Sequence, residues 1–206
     1  MTAEKVLDNY LSAIGGADKV AAIKTTKISM DANVMGTPLN LAFIYDSENQ
    51  RYGQKLSVAG NVMQKTVISG GKGSMSVQGN SMEMNEAQYS EAQLNSHLFP
   101  EAVYQANGYT LTFDGLKDVD GTPAYKVIIS SASGAKLINY YAQDSGLKIK
   151  YENPASGDTF YSDYQAKDGV LLPMAWTIKS PAIPVPLEAK VTSMELNVPV
   201  TDEDIK

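Results

Sequence analysis

Acid–base or nucleophilic chemistry in this chain would have to begin at its single histidine, His97. A serine triad needs that imidazole to activate a hydroxyl, with a carboxylate to orient it. His97 follows Ser96 in a Gln-rich stretch, and no glycine-flanked nucleophile elbow occurs in the sequence. A surface or helix-end residue is the better reading. A zinc hydrolase needs several nitrogen or sulfur ligands and a base, which one histidine and no cysteine do not supply. The lack of cysteine also removes disulfides and thiolate nucleophiles. The residues therefore point to no catalytic centre, no metal and no cofactor.

Three other constellations have simpler explanations. Gly70-Gly71-Lys72-Gly73-Ser74 superficially looks like a phosphate loop, but the spacing is wrong and no helix follows, so it reads as a hairpin. Asp118-Val119-Asp120-Gly121 could contribute oxygens to calcium, yet the closing glutamate of an EF-hand loop is missing, and a strand-to-strand turn explains the same residues. The pairs Glu83 with Glu86, and Asp202 with Glu203 and Asp204, read as solvated faces rather than as an acid and a base held at different pKa values.

The methionines carry more information. Met30, Met35, Met63, Met75, Met82 and Met84 cluster in the first half. Methionine is flexible and polarisable and recurs where an apolar surface adapts to varied ligands. Met30, Leu41, Phe43, Met63, Met75 and Trp176 are the candidate lining of a cavity for an acyl chain. Ordinary core packing needs the same residues, and both readings stand at this level.

Net charge is −6 and the pI near 4.8, with Lys and Arg scattered singly. A nucleic-acid partner would need a basic stripe, which the sequence lacks. No apolar run is long enough to span a membrane, and Met1-Thr2-Ala3-Glu4-Lys5 lacks the basic and apolar regions of a secretory signal.

The elements that would position these residues are mostly strands. Thr2 can cap a first helix in which Val6, Tyr10, Leu11 and Ile14 recur on one face, with Gly15-Gly16 ending it. A short helical turn follows from Ala17 to Ile23. From Thr25 the period becomes two: Ile28, Met30, Ala32 and Val34 alternate with polar residues, then Leu39, Leu41, Phe43 and Tyr45 after a turn at Gly36-Thr37-Pro38. Further strands are expected near 52–58, 62–68, 74–78, 109–113, 125–129, 137–141, 147–151, 160–164, 172–178 and 187–191. Asp120-Gly121, Ser133-Gly134, Ser145-Gly146, Ser156-Gly157 and Asp168-Gly169 mark turns. Asn85 to Leu98 reads as a capped helix with Ala87, Leu94 and Leu98 on one side. Ser180 to Pro186, with three prolines, reads as a loop or sheet edge. With no solenoid-length repeat and no convincing linker, the expectation is a single domain, residues 1–206. Its fold class is mainly β (α+β): a curved antiparallel sheet or incomplete barrel of about eleven strands, with an N-terminal helix and a helical lid segment.

Several ordered segments carry a resemblance. Asn9-Tyr10-Leu11 through Ala13-Ile14-Gly15-Gly16, Asp118-Val119-Asp120-Gly121 with Ala124-Tyr125-Lys126-Val127, and Tyr140-Tyr141 with Ser145-Gly146-Leu147-Lys148 are three of them. Tyr161-Ser162-Asp163-Tyr164 with Asp168-Gly169-Val170 and Leu172-Pro173 is a fourth. Together they resemble Bacteroidetes proteins related to the outer-membrane lipoprotein-sorting (LolA/LolB-like) family. The resemblance implies an incomplete β-barrel around an apolar cavity, a periplasmic or outer-membrane location, and an acyl ligand or lipoprotein as partner. Thr2-Ala3-Glu4-Lys5-Val6 and Leu98-Phe99-Pro100-Glu101 are similar to the version that follows the peptidase domains of Bacteroidetes insulinase-like zinc peptidases. That closer likeness implies an upstream peptidase domain as a further partner. The zinc motif of those peptidases is absent, so no activity and no site residue carries over. The alternative is a structural or interaction module with a self-filled core, docking through an edge strand or the Ser180–Pro186 loop.

Overall fold

The structure, a computed structural model, describes residues 1–153, 157–181 and 185–205. Ser156 of the expected Ser156-Gly157 turn and residues 182–184 of the expected Ser180–Pro186 connection lie outside the described residues. The chain packs as two compact units. One comprises Met1–Ala21 and Glu101–Glu188, the other Ala22–Pro100 and Ala189–Lys206.

The first unit is a meander closed by a helix. Its strands β7 (Thr110–Val119), β8 (Thr122–Ser130), β9 (Lys136–Ala142), β10 (Lys148–Asn153), β11 (Gly157–Lys167) and β12 (Val170–Lys179) pair in sequence order, each described pair antiparallel. Short turns force this, because a two-residue loop can join only antiparallel neighbours. Asp120-Gly121 is such a turn, with φ values of 49° and 87° and the Asp118 carboxylate accepting from the Gly121 N–H at 2.9 Å. Helix α1 (Ala3–Ala13) begins where Thr2 Oγ1 accepts from the Lys5 N–H at 3.3 Å. It buries Ala3, Val6, Leu7 and Tyr10 while touching β7 and β8. Each large apolar side chain so buried contributes about 1.5–3 kcal/mol. After α1, Ile14 accepts from the Leu171 N–H at 2.8 Å, and the short α2 (Ala17–Ala21) buries Val20.

The second unit is also a meander. Its order is β6 (Asn80–Glu83), β5 (Lys72–Val77), β4 (Asn61–Ser69), β3 (Arg51–Val58), β2 (Thr37–Asp46), β1 (Thr25–Val34) and β13 (Leu187–Leu196, from Ala189 on in this unit). Gly70-Gly71 is a hairpin turn between β4 and β5, as the sequence suggests. The turn expected at Gly36-Thr37-Pro38 falls one residue earlier, on Met35-Gly36 with φ values of 52° and 86°, and Thr37 and Pro38 open β2. Among the described residues the strands number thirteen against the expected eleven or so. A strand missing from the sequence expectation is β6, four residues with one apolar side chain and hence no alternation to read.

The expected helix from Asn85 breaks into pieces. Asn85 does cap α3 (Glu86–Ala92), and Gln88 completes a capping box. The chain then tightens into 3-10 turns at Gln93–Ser96 and Pro100–Ala102. Leu94 is buried as expected, whereas Ala87 is exposed, because α3 buries no residue. A last helical turn, α4 (Asp202–Ile205), sets Ile205 against the β3 backbone at Gly53, where an added Cβ would lie 3.3 Å from the Ile205 carbonyl.

Candidate functional site

Two rows of side chains in the second unit run across its strands on one face. Direct antiparallel partners share a face, so Ile28, Phe43, Gln54, Thr66, Met75 and Met82 form one row. Met30, Leu41, Leu56, Gln64 and Val77 form the next. Both rows are buried at the β1–β2 end and exposed at the β5–β6 end. Met30, Leu41 and Phe43 are buried at 0%, 5% and 6%, while Met75, Val77 and Met82 are 37%, 50% and 68% exposed. The 3-10 turn Gln93–Ser96 touches β2 and β3 and buries Leu94. The face is thus covered at one end and open at the other.

The structure brings five of the six predicted lining residues into this unit. Met30, Leu41, Phe43 and Met75 lie in the two rows. Met63, half-buried, is the residue skipped where the β3–β4 register shifts between Leu56 and Ser57. Trp176 belongs to the first unit, on β12, half-buried with its ring edge-on to Tyr161 at 5.5 Å. Two clefts, of about 400 and 490 Å³, are lined by other residues: Gly157, Asp158, Lys179 and Pro181 in the first, and Lys24, Asp46, Arg51 and Asn197 in the second.

His97 ends the 3-10 turn Gln93–Ser96, and burial together with the Lys24 charge lowers its pKa. Ser96 Oγ donates to the Gln93 carbonyl, not to His97. Among the described residues no three His, Asp or Glu side chains are grouped to hold a metal ion.

A polar cluster in the first unit was not foreseen. Glu101, in the 3-10 turn Pro100–Ala102, is buried with its Oε1 atom 2.7 Å from Lys148 Nζ. Tyr141 Oη donates to the same oxygen at 3.3 Å, and Asn139 Nδ2 reaches it at 3.5 Å and Tyr104 Oη at 3.3 Å. The Lys148 ammonium also lies over the rings of Tyr161 and Tyr10, at 5.2 and 5.8 Å. Burial, then the Glu101 charge, pushes the phenols of Tyr10, Tyr104 and Tyr141 well above their ordinary range. Such phenols stay protonated at neutral pH, and that of Tyr141 donates to Glu101. They offer no nucleophile at neutral pH.

A second ionic knot holds the end of the chain. Arg51 donates to Asp46 at 2.6 and 2.8 Å, to Asp202 at 2.8 Å and to the Val200 carbonyl at 2.8 Å. Asp204 pairs with Lys27 at 2.9 Å and accepts from Thr201 at 2.7 and 2.8 Å. Two of the acids read as a solvated face, Asp202 and Asp204, therefore tie α4 to β1 and β3.

No protein-family model matches the sequence, and no curated protein matches it. Solved structures do. A DUF1329 family protein of Desulfovibrio piger superposes with a TM-score of 0.59 at 12% identity, covering 99% of this chain and 97% of its own. A LolA superfamily protein of Nitrosomonas europaea gives 0.57 at 11%, covering 100% and 98%. A Vibrio parahaemolyticus domain assigned as outer membrane lipoprotein-sorting gives 0.54 at 8%, covering 97% of each. The chain has the LolA-like fold: mainly antiparallel β with a few helices.

Proposed function

We propose that this chain is a non-catalytic LolA-like domain of the cell envelope that binds a hydrophobic, acyl-type ligand on the apolar face of its second unit. The observation that carries this reading is the gradient along two rows, from buried Met30 and Phe43 to open Met75, Val77 and Met82. The rows begin as apolar core, cross Gln54, Thr66 and Gln64, and end in solvent at Met75, Val77 and Met82, whose side chains offer adaptable apolar contacts to a chain laid along them. The shared fold with a LolA superfamily protein and with the lipoprotein-sorting domain supports the ligand class. In this reading residues 1–206 act as one functional domain, in the periplasm or at the outer membrane, following an insulinase-like peptidase domain in the same polypeptide.

The test is a titration with a fluorescent acyl-chain probe, followed by competition with a fatty acid. Saturable, competable binding is expected, weakened at least about tenfold by Met75→Glu with Met82→Glu. Both positions are open to solvent, so the variant is expected to keep its fold, which circular dichroism checks. Absence of saturation at tens of micromolar would overturn the reading. It would leave an interaction module, which the full burial of Met30 favours, since a filled face has no room for a ligand.

A further inference from the structure

Three thioethers gather on one face at the β5–β6 end of the second unit. Met75 and Met82 are direct partners across the two strands, so their side chains share a face. Met84 follows β6 and extends the ladder by one bond, its N–H donating to the Gly73 carbonyl at 2.8 Å. Its side chain folds back over Gly73: a Cβ added there would lie 2.5 Å from Met84 Sδ. Gly73 stands two residues before Met75 on β5, so that Cβ would point to the face of Met75. Met84 Sδ therefore occupies, beside Met75, the space that a side chain at position 73 would fill. Unlike Gly70 and Gly71, Gly73 has no positive φ, so what it supplies is room for this sulfur.

Neither packing nor an acyl-binding face accounts for the set. Met75 and Met82 are exposed, and contact with an acyl chain needs apolar side chains but not three adjoining sulfurs. The donor chemistry is more selective. A thioether is a soft, neutral ligand, and soft sulfur ligands select Cu⁺. Zn²⁺ takes thiolate, imidazole or carboxylate, and Mg²⁺ and Ca²⁺ take oxygens. Glu83, between Met82 and Met84, pairs with Ser74 and so points to the opposite face. Three neutral sulfurs bring no charge to offset a divalent ion. Counting histidine and cysteine passes over such a site.

We propose that Met75, Met82 and Met84 form a binding site for one soft monovalent cation, Cu⁺ or its redox-inert analogue Ag⁺. The three sulfurs are the ligands, and Gly73 is a positioning residue that lets Met84 reach the other two. The long, flexible methionine arms close on the ion from one side of the sheet. The site stands apart from acyl binding and does not depend on it.

The test titrates the whole chain, isotope-labelled at its methionine methyl groups, with silver nitrate in chloride-free buffer, read by NMR. Saturable one-to-one binding is expected, with shifts at the methyls of Met75, Met82 and Met84 and none at buried Met30 and Met194. Met35 is the internal control, because it is 87% exposed but sits on the β1–β2 turn. Met82→Leu and Met84→Leu are each expected to weaken binding at least about tenfold. Leucine keeps the volume and apolar character of methionine, so the fold is expected to persist. Gly73→Ala keeps all three sulfurs but displaces that of Met84, and is expected to weaken binding too. A thioether has no proton to lose, so affinity is expected to be level from about pH 5 to about pH 8, where an imidazole ligand would titrate. Zn²⁺ is expected to move none of the three methyls. An equal shift at Met35, equal affinity in parent and variants, or no saturation would overturn the proposal. Loss of affinity on acidification would overturn it in favour of His97. Acyl-probe binding is expected to be the same in Met84→Leu and Gly73→Ala as in the parent, so the two readings fail separately.

Discussion

Lys148 Nζ lies 2.7 Å from Glu101 Oε1, and the Glu101 side chain is wholly buried. The pair joins a 3-10 turn to β10 inside a shell of tyrosines. Removing one partner leaves a charge without compensation, and breaking such a buried pair costs about 3–5 kcal/mol. Lys148→Met is therefore expected to lower unfolding free energy by that amount in urea at neutral pH. Adding Glu101→Gln to it is expected to recover part of the loss, because the stranded carboxylate is gone. A double variant as unstable as the sum of the single variants would mean that the two groups are not coupled.

Asp46 gives a pH signature. Burial alone would raise its pKa, but hydrogen bonds from Asn49 and Arg51 outweigh it and hold the carboxyl below its ordinary value. A depressed folded pKa gives stability that is present above the unfolded value of about 3.9 and is lost as pH falls through the folded one. Urea midpoints are expected to be level near neutral pH and to fall below about pH 4. Asp46→Asn, less stable throughout, is expected to show a shallower fall.

Much of this architecture was legible in the sequence and the two ionic knots were not, for a physical reason. Turns announce themselves locally: Asp120-Gly121 and Gly70-Gly71 supply the positive φ that a tight hairpin demands. Strand faces announce themselves by alternation, which placed Met30, Leu41 and Phe43 together on one buried face. Glu101 and Lys148 stand forty-seven positions apart, on elements of different type, so no short-range pattern links them. Asp204 looked like one acid in an exposed run until α4 brought it to Lys27. Met30, Met75 and Met82 fall on one face while Met35 sits in a turn, and the exposure gradient along that face depends on where the sheet ends, which β6 has no alternation to reveal.

Asp204 is the acid whose titration should move most visibly. The Lys27 ammonium, followed by the Thr201 N–H and hydroxyl, lowers its pKa to about 2. Following the side-chain carboxyl by NMR is expected to give that midpoint, and in Lys27→Gln it is expected to rise toward the ordinary aspartate value. The same variant is expected to loosen α4, read as faster amide exchange at Ile205. An unchanged midpoint would show that Lys27 does not engage this carboxylate in solution.

At the alkaline end, buried tyrosines set the limit. Burial first, then the Glu101 charge, raises the Tyr10, Tyr104 and Tyr141 phenols above their unfolded value of about 10. Above that pH the unfolded chain releases protons that the folded chain keeps, so unfolding is favoured as pH rises. The near-ultraviolet phenolate signal is expected to appear in two stages, exposed tyrosines first and the buried set only with loss of tertiary structure. A single smooth titration with the fold intact would contradict this burial.

Gly15 is where α1 meets the turn before β12. Its φ is +134°, a conformation that residues with a Cβ rarely adopt, and an added Cβ would sit 2.5 Å from the Gly169 carbonyl oxygen. That oxygen belongs to backbone, which cannot swing aside as a side-chain end can. The neighbouring bond from Leu171 N–H to the Ile14 carbonyl fixes the approach at 2.8 Å. Gly15→Ala must therefore either strain the backbone or lift α1 from β12. The expected loss is about 1–3 kcal/mol in urea denaturation. Gly16→Ala has a positive φ of 101° but open space around it, so it is expected to lose less. Equal losses at the two sites would mean that backbone conformation alone, and not the close approach to Gly169, sets the requirement for glycine.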